Sequence, residues 1–160
     1  MVRHRSNGVK GLSAQEIAEQ QVDVLFLVWL LARATSDLVD TALESTGLTS
    51  DEYAIYSVLA AGTITPTELA RWMAAPLTTV SSYVKRFERR GHVIREPNPD
   101  DRRSYRIQLT PAGRQIHRAA ATLFAPVRAG VADALGAHAP STHDTLRSLR
   151  AVLDQVRQRG

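Results

Sequence analysis

The sequence predicts a mainly α-helical protein with one small β-hairpin. Three observations predict it. Apolar residues recur at helical spacing over most of the 160 residues. Between His92 and Leu109 alone the period falls to two, around a tip rich in Pro, Asn and Asp. Capping signals, Ser or Thr followed by Glu or Pro, head most of the helical stretches. A chain of this length can bury a core without disulfides or metals.

Residues 1–12 are polar and basic with two glycines, and are expected to form a flexible basic arm. Ser13 and Glu16 fit a capping box, so the first helix is expected to start there. Its stripe includes Ile17, Val24, Leu27, Leu31, Leu38 and Val39, and the run from Val24 to Leu31 widens it beyond one face. A helix apolar almost all round is buried on several sides, here including a partner subunit. Gly47 ends it as a left-handed cap.

Thr49, with Glu52 three residues on, opens a second helix that Gly62 closes. Thr65-Pro66 opens a short third helix to about Met73. After a turn at Ala74–Leu77, a fourth helix is expected from about Thr78 to Arg90, capped by Gly91. It points Val80, Val84 and Phe87 inward and Ser81, Ser82, Lys85, Arg86 and Arg89 outward. His92–Arg95 and Tyr105–Leu109 read as paired strands. Thr110-Pro111 starts a long helix towards Leu135, with Pro126 expected to kink it. Gly136–Pro140 breaks the chain, and Ser141 or Thr142 caps the last helix.

Composition excludes several function classes. With no cysteine, disulfides, thiolate metal sites and catalytic thiols are out. The five histidines show no metal-ligand spacing, so neither metal nor cofactor is expected. No nucleophile elbow, phosphate loop or paired-carboxylate motif points to an enzyme. The longest run of large apolar residues is eight, Val24 to Leu31, whereas a membrane span needs about 20. No apolar signal core follows the basic N-terminus, so a soluble cytoplasmic protein is expected.

The net charge of +4 is unevenly placed. Residues 13–68 carry −8, residues 71–118 carry +7, and the arm at 1–12 carries +3. A basic middle behind an acidic front points to a polyanion partner on one region of the fold.

Short helix, tight turn, second helix, then hairpin is the order of a winged helix-turn-helix. A helix that starts with Thr78, Thr79, Ser81 and Ser82 can press into the major groove, where base edges show a distinct donor and acceptor code. Lys85, Arg86 and Arg89, with Arg90 beyond them, can reach phosphates. A hairpin tip with Arg102 and Arg103 can enter the minor groove, where negative potential is concentrated. Double-stranded DNA is therefore the expected partner.

From Leu48 to Gly113 the chain resembles the MarR family of bacterial transcriptional regulators. The resemblance is carried by Thr67-Glu68-Leu69-Ala70, by Thr78-Thr79-Val80-Ser81, and by Val84-Lys85-Arg86-Phe87-Glu88-Arg89-Arg90-Gly91. In the hairpin, Asp101, Arg103, Leu109-Thr110 and Gly113 meet the family's wing pattern. Pro76 and Leu77 stand where the family often has small polar residues, so the first DNA contact is expected from Thr78 or Thr79. The resemblance implies that Asp101 orients Arg103 by holding its side chain and that Arg103 inserts into the minor groove. It also implies a homodimer on a palindromic operator, more often a repressor, with 13–48 and 111–160 as helical dimerisation region and 49–110 as DNA-binding region.

Family members often take small aromatic or lipophilic effectors, and the candidates here are Trp29, Arg33, Tyr53, Tyr56 and Trp72. Aromatics offer apolar walls, and Arg33 can pair a carboxylate. Against this, residues such as Trp29 and Tyr56 are more often plain core at helical spacing, and Arg33 can pair Asp37 four residues on. The lesser reading of Asp101 and Arg103 is a solvated ion pair worth about 0–1 kcal/mol. The alternative function is an effector-independent architectural DNA-binding protein.

Overall fold

The computed structural model describes residues 23–159. The expected arm at 1–12 and the helix start at Ser13 lie outside the described residues. The chain divides into two compact units, one ending at Leu38 and one starting at Val39.

Helix α1 spans Val24–Leu43. Asp23 Oδ1 accepts from the backbone N–H groups of Leu25 and Phe26, at 2.8 and 2.9 Å, and so caps its first turn. In the single chain Val24, Leu25, Phe26, Leu27, Trp29 and Leu31 are exposed. The burial expected for this stretch is therefore not seen among the described residues of the single chain.

From Val39 on, the remaining elements are α2 Ser50–Ala61, α3 Pro66–Met73, α4 Leu77–Arg89, β1 Val93–Pro97, β2 Tyr105–Leu109, α5 Pro111–Leu135 and α6 Ala139–Arg159. Both α2 and α3 begin with a complete capping box, Thr49 with Glu52 and Thr65 with Glu68. The strands pair antiparallel, Val93 opposite Leu109 through Pro97 opposite Tyr105. Ile64, just before α3, adds a bridge to Ile107 that hydropathy patterning does not reveal. The core joins α2, α4 and the hairpin through Ile55, Tyr56, Leu59, Val80, Val84, Phe87, Val93, Ile107 and Leu109, all buried.

Three boundaries differ from expectation, each by proline or cap chemistry. Helix α4 starts at Leu77, because Pro76 sits at the cap and its carbonyl accepts from Thr79 and Val80. Strand β1 starts at Val93, not His92. Gly91 adopts φ 69°, the Gly91 N–H donates to Glu88 and the His92 N–H donates to Phe87. That pair of bonds is a Schellman cap, which uses up His92 in ending the helix. Helix α6 starts at Ala139, before Ser141, because a proline is tolerated in a first turn and Pro140 lies there. The long helix α5 continues through Pro126.

Thr110 stitches the hairpin to both neighbouring helices. Its hydroxyl donates to the Gly91 carbonyl at 2.7 Å and accepts from the Gly113 N–H at 3.0 Å. A Cβ at Gly113 would collide with the His92 carbonyl oxygen and stand 3.1 Å from Leu109 Cδ2. Gly113→Ala is therefore expected to cost about 1–3 kcal/mol, because a backbone atom cannot move aside as a side chain can. Urea unfolding checks this; an unchanged midpoint would mean that the β2–α5 junction opens freely. Among the described residues no helix is long and apolar enough to cross a membrane.

Candidate nucleic-acid interface

The candidate site is the outer face of α4 together with the tip of the hairpin. Val80, Val84 and Phe87 turn inward and are fully buried, which fixes what the opposite face presents. Thr78, Thr79, Ser82, Lys85, Arg86 and Arg89 are exposed, and Ser81 is half-buried. Ser81 donates its hydroxyl to the Leu77 carbonyl and Ser82 to the Thr78 carbonyl, at 2.9 and 3.0 Å. With their protons used inside the helix, both hydroxyls offer acceptor lone pairs outward.

The hairpin tip is built by short side chains acting on backbone. Asn98 Oδ1 accepts from the Asp100 N–H and from Arg106 Nε, both at 3.2 Å. Arg106 also pairs Asp100 at 2.7 Å. Asp101 Oδ1 accepts from the backbone N–H of Arg103 at 2.9 Å. The expected grip of Asp101 on the Arg103 side chain is replaced by this backbone bond. Asp101 shapes the turn, and the Arg103 guanidinium is left out of every ion pair among the described residues. The same holds for Arg102. One shallow groove is lined by Pro66, Thr67, Leu77, Ser81, Arg103, Ser104 and Tyr105. The fold thus brings Arg103 and Ser81, 22 positions apart in sequence, to the same groove.

Two positioning contacts were not legible in the sequence. Arg95 pairs Glu88 of α4 in a bidentate bond, at 2.6 and 2.7 Å, and lies 4.6 Å from the centre of the Tyr105 ring. Together these contacts tie the hairpin to α4. The second centres on Glu52, which is 1% exposed and receives Arg86 at 3.0 Å and Arg90 at 2.9 Å. Burial pushes this carboxyl up, but hydrogen bonds from Arg90 and Arg86 outweigh that and hold it below its ordinary value of 4.5. The Thr49-x-x-Glu52 spacing discloses its capping role; its ion pairs depend on residues 34 and 38 positions away.

Beside this pair, the Tyr56 hydroxyl lies 2.8 Å from His92 Nδ1. Burial pushes Tyr56 up to about 12, so its hydroxyl keeps its proton and donates. Burial and the Arg90 charge push His92 down, which favours the neutral ring that accepts.

The effector candidates that lie beyond Val39, Tyr53, Tyr56 and Trp72, stand in different surroundings. Tyr56 is core, edge-on to Phe87 with centroids 4.7 Å apart. Tyr53 packs on His117 and Phe124. Trp29 stacks on Phe26 along α1, and Arg33 is exposed on the same helix. Trp72, 41% exposed, lines a cavity of 610 Å³ with Val58, Ile64, Arg71, Arg150 and Asp154, apart from Tyr53 and Tyr56.

This helix, turn, helix and hairpin can be compared with known proteins. The sequence profile of the MarR family matches residues 46–104. The transcriptional activatory protein BadR of Rhodopseudomonas palustris is 30% identical over 123 residues, which cover 73% of this chain and 69% of BadR. The chain belongs to the MarR family. The multiple antibiotic resistance protein MarR of Salmonella typhimurium is 26% identical over 105 residues, 65% of this chain and 73% of that protein. Among solved structures, the M. tuberculosis transcriptional regulator MOSR in complex with DNA superposes with a TM-score of 0.74 at 26% identity, over 85% of this chain and 99% of MOSR. As a MarR-family member the protein is a DNA-binding transcriptional regulator with a winged-helix fold, and not an enzyme.

Proposed function

We propose that two copies of this MarR-family chain read a palindromic DNA site and repress transcription there. The observation that carries this reading is the groove in which Arg103 of the hairpin and Ser81 of α4 meet, on the helix that also exposes Lys85 and Arg89. Helix α4 enters the major groove, with Thr78, Thr79, Ser81 and Ser82 at the bases and Lys85 and Arg89 at phosphates. Arg102 and Arg103 reach the minor groove, where a narrow tract concentrates negative potential. The DNA-reading region is 49–110, and 13–48 with 111–160 forms the dimer base. Leu31 on α1 and Leu146, Val152 and Val156 on α6 are exposed in the single chain, and a second copy would cover them. A dimer seated on DNA excludes other proteins from that stretch, which is how such a protein would repress, acting in the bacterial cytoplasm.

Duplexes enriched from a random pool by the purified protein test this directly. Two half-sites about one helical turn apart are expected. Arg103→Ala should weaken binding to the enriched duplex and lower the salt slope by about 0.9, one phosphate-equivalent contact. An unchanged slope would remove Arg103 from the interface. Transcription stimulated from a promoter bearing the site would make the protein an activator instead.

The cavity beside Trp72 supports control by a small aromatic or lipophilic effector. Its 610 Å³ falls in the usual range of ligand sites, and Arg71 has no ion-pair partner among the described residues. Such a ligand acts only by binding the DNA-free form better than the DNA-bound one. Thermal stabilisation and DNA release across a panel of aromatic acids are the expected signs; neither appearing would leave the architectural alternative.

A further inference from the structure

We infer that Glu52 is a specificity-determining positioning residue, which withholds Arg86 and Arg90 from DNA phosphates and uses them to set the rotation of α4. The inference rests on the DNA-reading function of this helix and goes beyond it, because Glu52 lies inside the protein and touches no base.

Three contacts place α4 against α2, and they differ in kind. Phe87, edge-on to Tyr56 of α2 with centroids 4.7 Å apart, supplies apolar contact, which is strong but carries little direction of its own. Directional bonds come from the first turn of α2. Glu52 takes Arg86 on one oxygen and Arg90 on the other, and Asp51 accepts from the Tyr83 hydroxyl at 3.0 Å. Tyr83, Arg86 and Arg90 follow at spacings of three and four, so they line one edge of α4 beside its buried ridge. Bonds between ionised partners are short and geometrically demanding, so they add a directional restraint on rotation to that of the apolar packing.

Rotation matters because base contacts are made at the helix surface. With side chains included, a helix is about 10–12 Å across, so a turn of about 20° displaces a surface group by about 2 Å. A hydrogen bond to a base edge tolerates only a few tenths of that.

The second consequence concerns charge. Arg86 and Arg90 are 45% and 36% exposed, so without Glu52 they stand at the edge of the DNA face as mobile cations. Mobile arginines bind any phosphate and carry no sequence information. Held on Glu52, they are kept from adding affinity for random DNA. The sequence pattern counts Arg86 as a phosphate contact; the ion pair assigns it to the protein instead.

Glu52→Gln tests this, since glutamine also serves a capping box but lacks the charge that holds two guanidinium groups. The probes are a duplex enriched from a random pool by the wild-type protein and a scrambled duplex of equal length. The enriched-to-scrambled affinity ratio is expected to fall about tenfold, the worth of roughly one mismatched base pair. The salt slope on the scrambled duplex is expected to steepen by about one to two units as Arg86 and Arg90 reach phosphates. Loss of a cap alone would move neither quantity once a folded protein is confirmed by circular dichroism.

Should Glu52→Gln fail to fold, Arg86→Gln decides. Its ratio is expected to fall with the salt slope on the enriched duplex unchanged. A slope reduced by about 0.9 would make Arg86 a phosphate contact and overturn the inference, as would an unaltered ratio. A wild-type protein that enriches no duplex removes the DNA-reading function itself, and this inference with it.

Discussion

Phe87→Ala is expected to lower the stability of the protein by about 3–5 kcal/mol. The Phe87 ring is completely buried. It lies edge-on to Tyr56 at 4.7 Å and beside Tyr83 at 5.8 Å, so truncation leaves a cavity among aromatic walls. Those walls cannot close in, because Tyr56 is held by its hydrogen bond to His92. Domains of this size have total stabilities of about 5–15 kcal/mol, so the loss is a large fraction of the whole. Urea unfolding followed by circular dichroism measures it, and DNA binding should fall in step with the folded fraction at raised temperature. A loss under about 1 kcal/mol would mean that α4 is seated by something other than this ring.

Lys85→Ala combined with Arg89→Ala is expected to flatten the salt dependence of DNA binding by about 1.8. Both side chains are exposed on the outer face of α4, line the same surface groove, and have no carboxylate partner among the described residues. Each then neutralises a phosphate and releases counterions. At about 0.1 M salt, two lost contacts correspond to roughly a 50-fold weaker complex. Because phosphates carry no sequence information, enriched and scrambled duplexes should weaken alike. Anisotropy titrations at several salt concentrations check both points. An affinity loss on the enriched duplex alone would show that the two side chains read bases.

The two expectations use opposite faces of one helix, and the sequence discloses these faces unequally. Val80, Val84 and Phe87 recur at spacings of four and three, and all three are buried as the period predicts. The outward face is legible as exposed, but which cations are committed inside the protein is not. Arg86 and Lys85 are neighbours of the same charge, and nothing near them in the chain says that only Arg86 meets a buried carboxylate. Tyr56 illustrates the same limit from the other side. Helical spacing leaves it between core and pocket wall, and only packing against Phe87 and His92 makes it core.

Elements whose chemistry closes within a few residues could be read in advance. The Thr49 and Thr65 caps and the Thr110-Pro111 start of α5 each depend on neighbours three positions away, and all are present. Gly91 was legible as a helix end for the same reason, since a left-handed residue is cheapest without a Cβ. Asp101 was legible as a turn former; that it grips the Arg103 backbone and not its side chain was not. Pairing Ile64 with Ile107 joins residues 43 apart, and the Glu52 bonds to Arg86 and Arg90 join residues 34 and 38 apart. Short-range hydrogen bonds and hydrophobic period therefore settled the order of elements and the exposed face of α4, while the motif residues of α3, α4 and the hairpin carried the family resemblance. The ion pairs of Arg86 and Arg90 with Glu52 and the meeting of Arg103 with Ser81 came from the folded arrangement alone. These contacts form only when elements distant in the chain are packed together, where a buried charge must find its partner and a surface charge need not.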